Sequence, residues 1–461
     1  MTVRALLLAY EFPPLASGGV HRALSFAEHL PQSGIELDVV TVRAEDYPAW
    51  SSAPIDPELL SRVPATVRVH RLSSGFPSWY WSLVARRAGR AAAHYGQLGD
   101  PVAHFWRRPL RQFLDRLVPE RRPDVLVATA PPFGVAVLAR ELASRYRLPW
   151  VADFRDPWTL WCAVPYPTVA HYAYARAHEA AILRSANAAI ATSHVTRDDW
   201  LKNDRRLDPR RLHTIYNGFE TANRDPGQPA ANGSGAAFQR HVVHTGSFYY
   251  TPEGRAASHR PAWRRQPHQW THYRHRREDW LYRSPYFFLR GVRTFLDTYP
   301  PLSSRLTVTF AGTVPDWLPQ MLSATGTDGI VTLAGPIPHR ESLRVQRGAD
   351  ALLLTSARVE GGRDYSVAGK MAEYFGARRP ILGVLTDGAM RDLVSRSGLG
   401  LIADPDDARA IADALARIVT ASAPDELMQP DDAYLRGFER AATVRQLADR
   451  LSAAAAEGYR E

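Results

Sequence analysis

The sequence predicts an α/β protein built from two doubly wound domains. Three observations carry this. The chain has 461 residues, too many for one ordinary core and suited to two domains of roughly 200 residues each. Short apolar runs alternate with helical patterns along most of its length. A stretch rich in Gly, Pro and small polar residues, RDPGQPAANGSGAA, breaks the alternation near the middle and reads as a linker.

In the first half, strands are predicted at 3–10, 36–43, 67–72, 124–130, 150–154, 188–192 and 212–216. Several are nearly continuous apolar runs, as parallel strands covered on both faces require. Helical patterns at 19–30, 133–146 and 169–185 lie between them. In the second half, strands are predicted at 241–245, 306–311, 330–333, 351–355, 380–384 and 400–403. Helices are predicted at 285–298, 339–347, 369–377, 389–396, 408–419 and 433–455. The domain reading is therefore 1–222, a linker at 223–238, 239–430, and a last helical segment at 431–461. Residues 251–283 break the pattern. They are dense in Arg, His, Trp and Tyr, show no clean period, and read as a long insertion in the first loop of the second domain. One reading makes the insertion an acceptor or membrane-surface element; another makes it a solvated or disordered loop.

Composition narrows the class. A hydrophobic share of 45% and a charged share of 23% belong to a folded chain. A single cysteine, Cys162, allows no internal disulfide and fits a reducing, cytoplasmic setting. The first ten residues read as a buried strand rather than a signal peptide. No run reaches the roughly 18 to 20 apolar residues of a spanning helix. The net charge of +10 favours phosphorylated substrates or an anionic membrane surface. The stretches 79–90 and 105–117, with Arg beside aromatics, read as interfacial helices that dock peripherally. Arg with aromatics also suits single-stranded nucleic acid, but no nucleic-acid fold motif accompanies it. The cations are almost all arginine. Only Lys202 and Lys370 are lysines, and a lysine kept among arginines hints at a need for a compact point charge.

Two loops carry candidate chemistry. After the first strand, Glu11-Phe12-Pro13-Pro14 leads to Ser17-Gly18-Gly19 at a helix start, where free amides and close approach suit an anion. A flexible turn fits equally well. Further on, Glu360-Gly361-Gly362 precedes Tyr365-Ser366-Val367-Ala368-Gly369-Lys370-Met371-Ala372-Glu373-Tyr374. A helix starting at Ser366 or Gly369 puts Lys370 in its first turn, against the helix dipole, which suggests an expected anion. Glu373, one turn on, can accept from two ribose hydroxyls. Spacing alone also fits an amphipathic helix with ordinary surface charges.

AGKMAEYFGARRPIL resembles the donor-site signature of retaining GT-B glycosyltransferases, in the family-4 branch with a Pro-Gly-Lys-x-x-Glu-Tyr pattern. EFPPLASGG, DVLVATAPPFG, VADFRDPW, IYNGFE, HTGSF and RSPYFFLRGV resemble further segments of that family, in order, so the likeness spans nearly the whole chain except the insertion. The resemblance implies two Rossmann-like domains facing across a cleft, with a C-terminal crossover helix packing back toward the first domain. It implies a retaining transfer from a nucleoside-diphosphate sugar to a glycan, lipid-linked or small-molecule acceptor. Lys370 and the amides near Ser366 and Gly369 would hold the diphosphate, with Arg283 a second cation, and Glu373 would hold the ribose. Gly246 and Ser247 would line the same site, and Gly18 and Gly19 would face the donor from the first domain. Asp156 would orient the acceptor, or serve in a strand-end salt bridge. No metal or other cofactor is expected: Asp404-Pro405-Asp406 has an Asp-x-Asp form but lies in a late loop. Two positions depart from the family. Tyr365 replaces a frequent glutamate, and Phe133 replaces a frequent histidine. A nucleotide-sugar epimerase and a catalytically inactive binding protein of the same fold are the alternative readings.

Overall fold

The structure, a computed structural model, describes residues 2–162, 164–220, 239–265 and 269–460. The predicted linker at 223–238 lies outside the described residues. The strands in chain order are β1 (Val3–Leu8), β2 (Ile35–Val42), β3 (Arg68–Leu72), β4 (Val125–Ala130), β5 (Trp150–Phe154), β6 (Ala188–Ala191), β7 (Leu212–Thr214), β8 (Arg240–Thr245), β9 (Arg277–Asp279), β10 (Leu306–Ala311), β11 (Val331–Leu333), β12 (Ala351–Thr355), β13 (Arg358–Glu360), β14 (Ile381–Val384) and β15 (Gly400–Ala403). They form two parallel sheets with helices on both faces. One has the order β3-β2-β1-β4-β5-β6-β7, the other β11-β10-β8-β12-β14-β15. These are the two Rossmann-like sheets that the sequence predicts. β9 and β13 pair separately as a small antiparallel ladder.

The chain divides into two compact units. The first is Met1–Tyr216 with Gln266–His275 and Ala441–Glu461; the second is Asn217–Arg265 with Arg276–Arg440. In the first unit β1 shows why its strand is apolar throughout. Leu6 and Leu8 enter the core layer on one face, and Ala5 and Leu7 enter the layer on the other. The second layer is completed by Val444, Leu447, Ala448, Leu451 and Ala454, a helical stripe of the helix Arg440–Glu457. In the second unit the helices Tyr286–Thr298 and Ala408–Thr420 place Phe288, Val292, Phe295, Ile411 and Leu415 on the sheet.

Three sequence expectations change. The predicted helix 433–455 is two helices, Asp432–Arg436 and Arg440–Glu457. Between them the backbone turns to pair with Phe219. Phe219 N donates to the Phe438 carbonyl, and Arg440 N donates to the Phe219 carbonyl, each at 2.9 Å. The stretch 105–117 is not an interfacial element. Trp106, Leu110 and Leu114, on one side of the helix Arg107–Glu120, are fully buried in the core. The insertion carries secondary structure of its own, the helix Pro252–Ser258 and β9. Its arginines Arg255, Arg277 and Arg283 each face a carboxylate, those of Asp279, Glu360 and Glu278.

One ion pair ties the first sheet to its first helix. The guanidinium of Arg22 grips Asp153, with Nη2 2.7 Å from Oδ1 and Nε 3.0 Å from Oδ2. Thr129 donates to the same carboxylate at 2.8 Å. Both charges are buried, at 6% and 0% side-chain exposure. Removing one partner of such a pair leaves the other stranded in low dielectric. Asp153→Ala is expected to destabilise the first unit by about 3–5 kcal/mol in urea denaturation; a loss below about 1 kcal/mol would show the pair to be structurally idle.

Candidate active site

In the second sheet the strand order reverses between β8 and β12, and the carboxyl ends of those strands are where an open α/β sheet binds its ligand. Lys370 reaches this point from the helix Gly369–Ala377. Its Nζ lies 3.0 Å from Nε2 of His244, near the end of β8. The other ring nitrogen, Nδ1, lies 3.1 Å from the Leu353 carbonyl of β12. A carbonyl only accepts, so Nδ1 carries the proton and Nε2 presents its lone pair to the lysine ammonium. Burial, then the Lys370 charge, holds His244 well below its usual pKa and keeps it neutral. Its ring is fixed by stacking on Phe248, with centroids 4.0 Å apart. Lys370 is brought down to about 8 by burial, against the pull of the Glu373 carboxylate.

Glycine at 246 follows from this arrangement. Its φ is +86°, and a Cβ there would sit 3.3 Å from Lys370 Nζ. The position therefore needs both a left-handed backbone and a close approach. Ser247 donates to Thr313 Oγ1 at 3.0 Å.

The helix Gly369–Ala377 has no side-chain cap and no acidic residue in its first turn. In the same unit Asp407 and Asp431 cap their helices by accepting from Ala410 N and Tyr434 N. An uncapped amide end with a cation in its first turn is suited to an anion. The loop before it is rigid. Buried Asp364 accepts from Ser366 N at 2.9 Å and from Ala357 N at 3.0 Å. Arg283 donates to Ser366 Oγ at 2.7 Å and pairs with buried Glu278. Burial works against the Arg283 charge, but Glu278 and Asp364 more than offset it and raise its pKa. Glu373 is oriented from the side. Gln346 Nε2 donates to its Oε2 at 2.8 Å and to Thr245 Oγ1 at 3.0 Å. His339 Nδ1 lies 3.9 Å from the second oxygen. Asp406, of the Asp-Pro-Asp segment, accepts from Arg358 and from the Tyr282 hydroxyl.

The structure thus gathers Gly246, Ser247, Arg283, Ser366, Gly369, Lys370 and Glu373 around the second switch point. Gly18, Gly19 and Asp156 belong to the first unit. Open space surrounds Gly18, while a side chain at Gly19 would collide with Arg155 and Glu11. Arg155 donates to the carbonyls of Gly19 and Pro131. Asp156 is exposed on the bend after β5; the buried ion pair at this strand belongs to its neighbour Asp153. Phe133 stacks flat on Trp158, with centroids 5.1 Å apart. Sequence reasoning missed His244, Gln346 and His339. His244 stood in the HTGSF segment, one residue before the Thr-Gly-Ser that drew attention, and its partners are 109 and 126 positions away.

A model of the glycosyl transferase 4-like domain matches residues 17–218, and a model described as glycosyl transferases group 1 matches residues 284–421. The chain belongs to the group 1 glycosyltransferases. It is a glycosyltransferase with the GT-B fold. Solved structures of low identity share that fold. A glycosyltransferase from Rickettsia africae aligns over 98% of each chain with a TM-score of 0.59 at 11% identity. The Anabaena HepE protein in complex with UDP aligns over 98% of this chain and all of its own, with a TM-score of 0.59 at 14% identity. A UDP-GlcNAc 2-epimerase from Methanocaldococcus jannaschii aligns over 98% of this chain and all of its own, with a TM-score of 0.50 at 9% identity. No curated protein sequence matches the chain.

The lysine gives this transferase a pH signature. Above pH 8 the free protein sheds the Lys370 proton, whereas a bound diphosphate favours the ammonium. The diphosphate is itself fully ionised there, its last pKa being about 6. Affinity for a nucleoside diphosphate is therefore expected to fall about tenfold between pH 7 and pH 9 by titration calorimetry. Lys370→Arg is expected to flatten the profile; a flat profile in the unaltered protein would contradict this site.

Proposed function

We propose that the chain transfers a sugar, with retention at the anomeric carbon, from a nucleoside-diphosphate sugar to a hydroxyl acceptor. The observation that carries this reading is the uncapped start of Gly369–Ala377 with the Lys370 charge held beside it by neutral His244. Breaking the anomeric C–O bond puts negative charge on the departing diphosphate. Fixed amides and a fixed ammonium aimed at that charge need no reorganisation and lower the barrier by several kcal/mol. Arg283 acts from the Ser366 loop, and Glu373, oriented by Gln346, takes the ribose hydroxyls. Gly18 and Gly19 serve the donor from the first unit, and Asp156 orients the acceptor. The HepE relative in complex with UDP supports a nucleotide of this type. These cations fill the role that a divalent metal plays in other transferases, so the reaction is proposed to run without one.

A melting-temperature screen of UDP, GDP, ADP and TDP tests the donor site. At least one is expected to stabilise the protein. Lys370→Ala is expected to weaken it about 10- to 100-fold, the cost of a charge-assisted contact, and Glu373→Ala less. Stabilisation by none of the four would sink the proposal. With the matching nucleotide sugar, turnover in EDTA and an unchanged anomeric configuration by NMR are expected.

No described helix is long and apolar enough to cross a membrane. Peripheral docking is proposed instead, through the helix Ser78–Ala85. It exposes Trp79 and Leu83, one turn apart, and exposed Arg86 and Arg87 follow it. Vesicles containing phosphatidylglycerol are expected to sediment the protein, and pure phosphatidylcholine vesicles are not. A Trp79→Ala, Leu83→Ala variant that still sediments would rule this face out.

A further inference from the structure

The first unit holds a cavity of about 770 Å³ to which no role above is assigned. Several parts of the chain wall it. The helices Ser78–Ala85 and Arg87–Gly96 supply Tyr80, Val84 and Tyr95. The segment after β5 supplies Trp158 and Tyr166, and the helix Val169–Ser185 supplies His171. His272 comes from the basic and aromatic insertion. That segment is pinned in place. Tyr166 and Tyr273 exchange backbone hydrogen bonds of 2.8 and 3.0 Å. Thr271 Oγ1 donates to the Pro167 carbonyl at 3.0 Å, and the Tyr95 hydroxyl lies 2.9 Å from His272 Nε2.

The charged groups at the walls are already committed. Arg90 donates to the carbonyls of Val84 and Ala85 at 3.1 and 2.9 Å. Asp100 accepts from Val102 N and Gly134 N, each at 2.9 Å. Burial, then the neighbouring His171, holds His94 below its usual pKa. The cavity therefore offers rings and ring nitrogens, and its one arginine is turned to backbone carbonyls. A cationic ligand would lose its hydration there without compensation, and an anionic one would meet only the Arg90 charge. A flat apolar body gains from the faces of Tyr80, Tyr95, Trp158 and Tyr166. The volume suits one drug-sized molecule.

His171 adds one polar point. It is 7% exposed, and its Nε2 has no hydrogen-bond partner among the described residues. Its Nδ1 lies 2.8 Å from Thr168 Oγ1. A hydroxyl both donates and accepts, so it satisfies Nε2 in either tautomer.

We propose that this cavity is the acceptor pocket and takes an uncharged, flat, hydroxylated aromatic molecule, with one hydroxyl hydrogen-bonded to His171. This rests on the transferase reading above. A second hydroxyl of the same molecule forms the new bond to the anomeric carbon as the bond to the diphosphate breaks. The electron pair leaves with the diphosphate, and the hydroxyl proton goes to it.

The test is titration calorimetry of the full chain at pH 7 with 2,6-dihydroxynaphthalene, naphthalene, maltotriose and 1-decanol. The dihydroxy compound is expected to bind at least tenfold more tightly than maltotriose or decanol. Ala93→Trp, which fills the cavity from a half-exposed position, is expected to weaken it at least tenfold while the nucleoside diphosphate that stabilises the unaltered protein still raises the melting temperature. His171→Phe is expected to weaken the dihydroxy compound about three- to tenfold and leave naphthalene within twofold. Absence of binding, tighter binding of maltotriose or decanol, or equal binding to Ala93→Trp would overturn the proposal. Failure of all four nucleoside diphosphates to stabilise the unaltered protein while the aromatic still binds would overturn the transferase reading, and the acceptor role with it.

Discussion

The donor site depends on a relay of three groups: the Leu353 carbonyl, the His244 imidazole and the Lys370 ammonium. Each link fixes the next. The carbonyl sets the tautomer, the tautomer points a lone pair at Nζ, and the lone pair holds a half-buried charge beside an uncapped helix end. Histidine can do this because burial keeps it neutral; a charged ring would repel the lysine. The arrangement keeps the cation ready before any ligand arrives. The cost is a lysine with a pKa of about 8, close to losing its charge. Gly246 is part of the same constraint, since a side chain there would crowd Nζ.

Elsewhere arginine does structural work, which explains how a chain of net charge +10 can have so few free cations in its site. Arg22 is spent on Asp153, Arg283 largely on Glu278, and Arg255 and Arg277 of the insertion on Asp279 and Glu360. Arg155 braces the loop that Gly19 ends. Against such partners a lysine in a helix's first turn, held by a neutral ring rather than an acid, is the conspicuous exception. The insertion, conspicuous for charge in the sequence, matters in the first unit for its aromatic and imidazole rings.

The sheets were legible because parallel buried strands read as apolar runs: 150–154, 306–311, 351–355 and 400–403 match the observed strands to the residue. The helix 369–377 was legible for the same kind of reason, a clear start and a periodic face. The helix Arg107–Glu120 was not, because Leu110 and Leu114 sit among arginines and look interfacial until Trp106 and the core claim them. The break before Arg440 depends on pairing with Phe219, more than 200 positions away, and leaves no local mark. At the site, Lys370, Glu373 and Gly246 could be named from a motif. His244 and Gln346 act through tertiary contacts across 100 positions or more, apart from the nearer Glu373. The role of Tyr365 and Phe133 in sugar chemistry was not readable either; Phe133 is committed to a stack on Trp158.

The presence of only two lysines makes the central claim directly measurable. With ε-13C-labelled lysine, an NMR spectrum of the full chain contains two side-chain signals, those of Lys202 and Lys370. In the free protein one signal is expected to titrate near 8. With a saturating nucleoside diphosphate, each of UDP, GDP, ADP and TDP being tried, that signal is expected to shift with at least one, and its titration to move to higher pH, while the Lys202 signal stays in place. Two signals that ignore all four, or a response from Lys202 alone, would contradict the account.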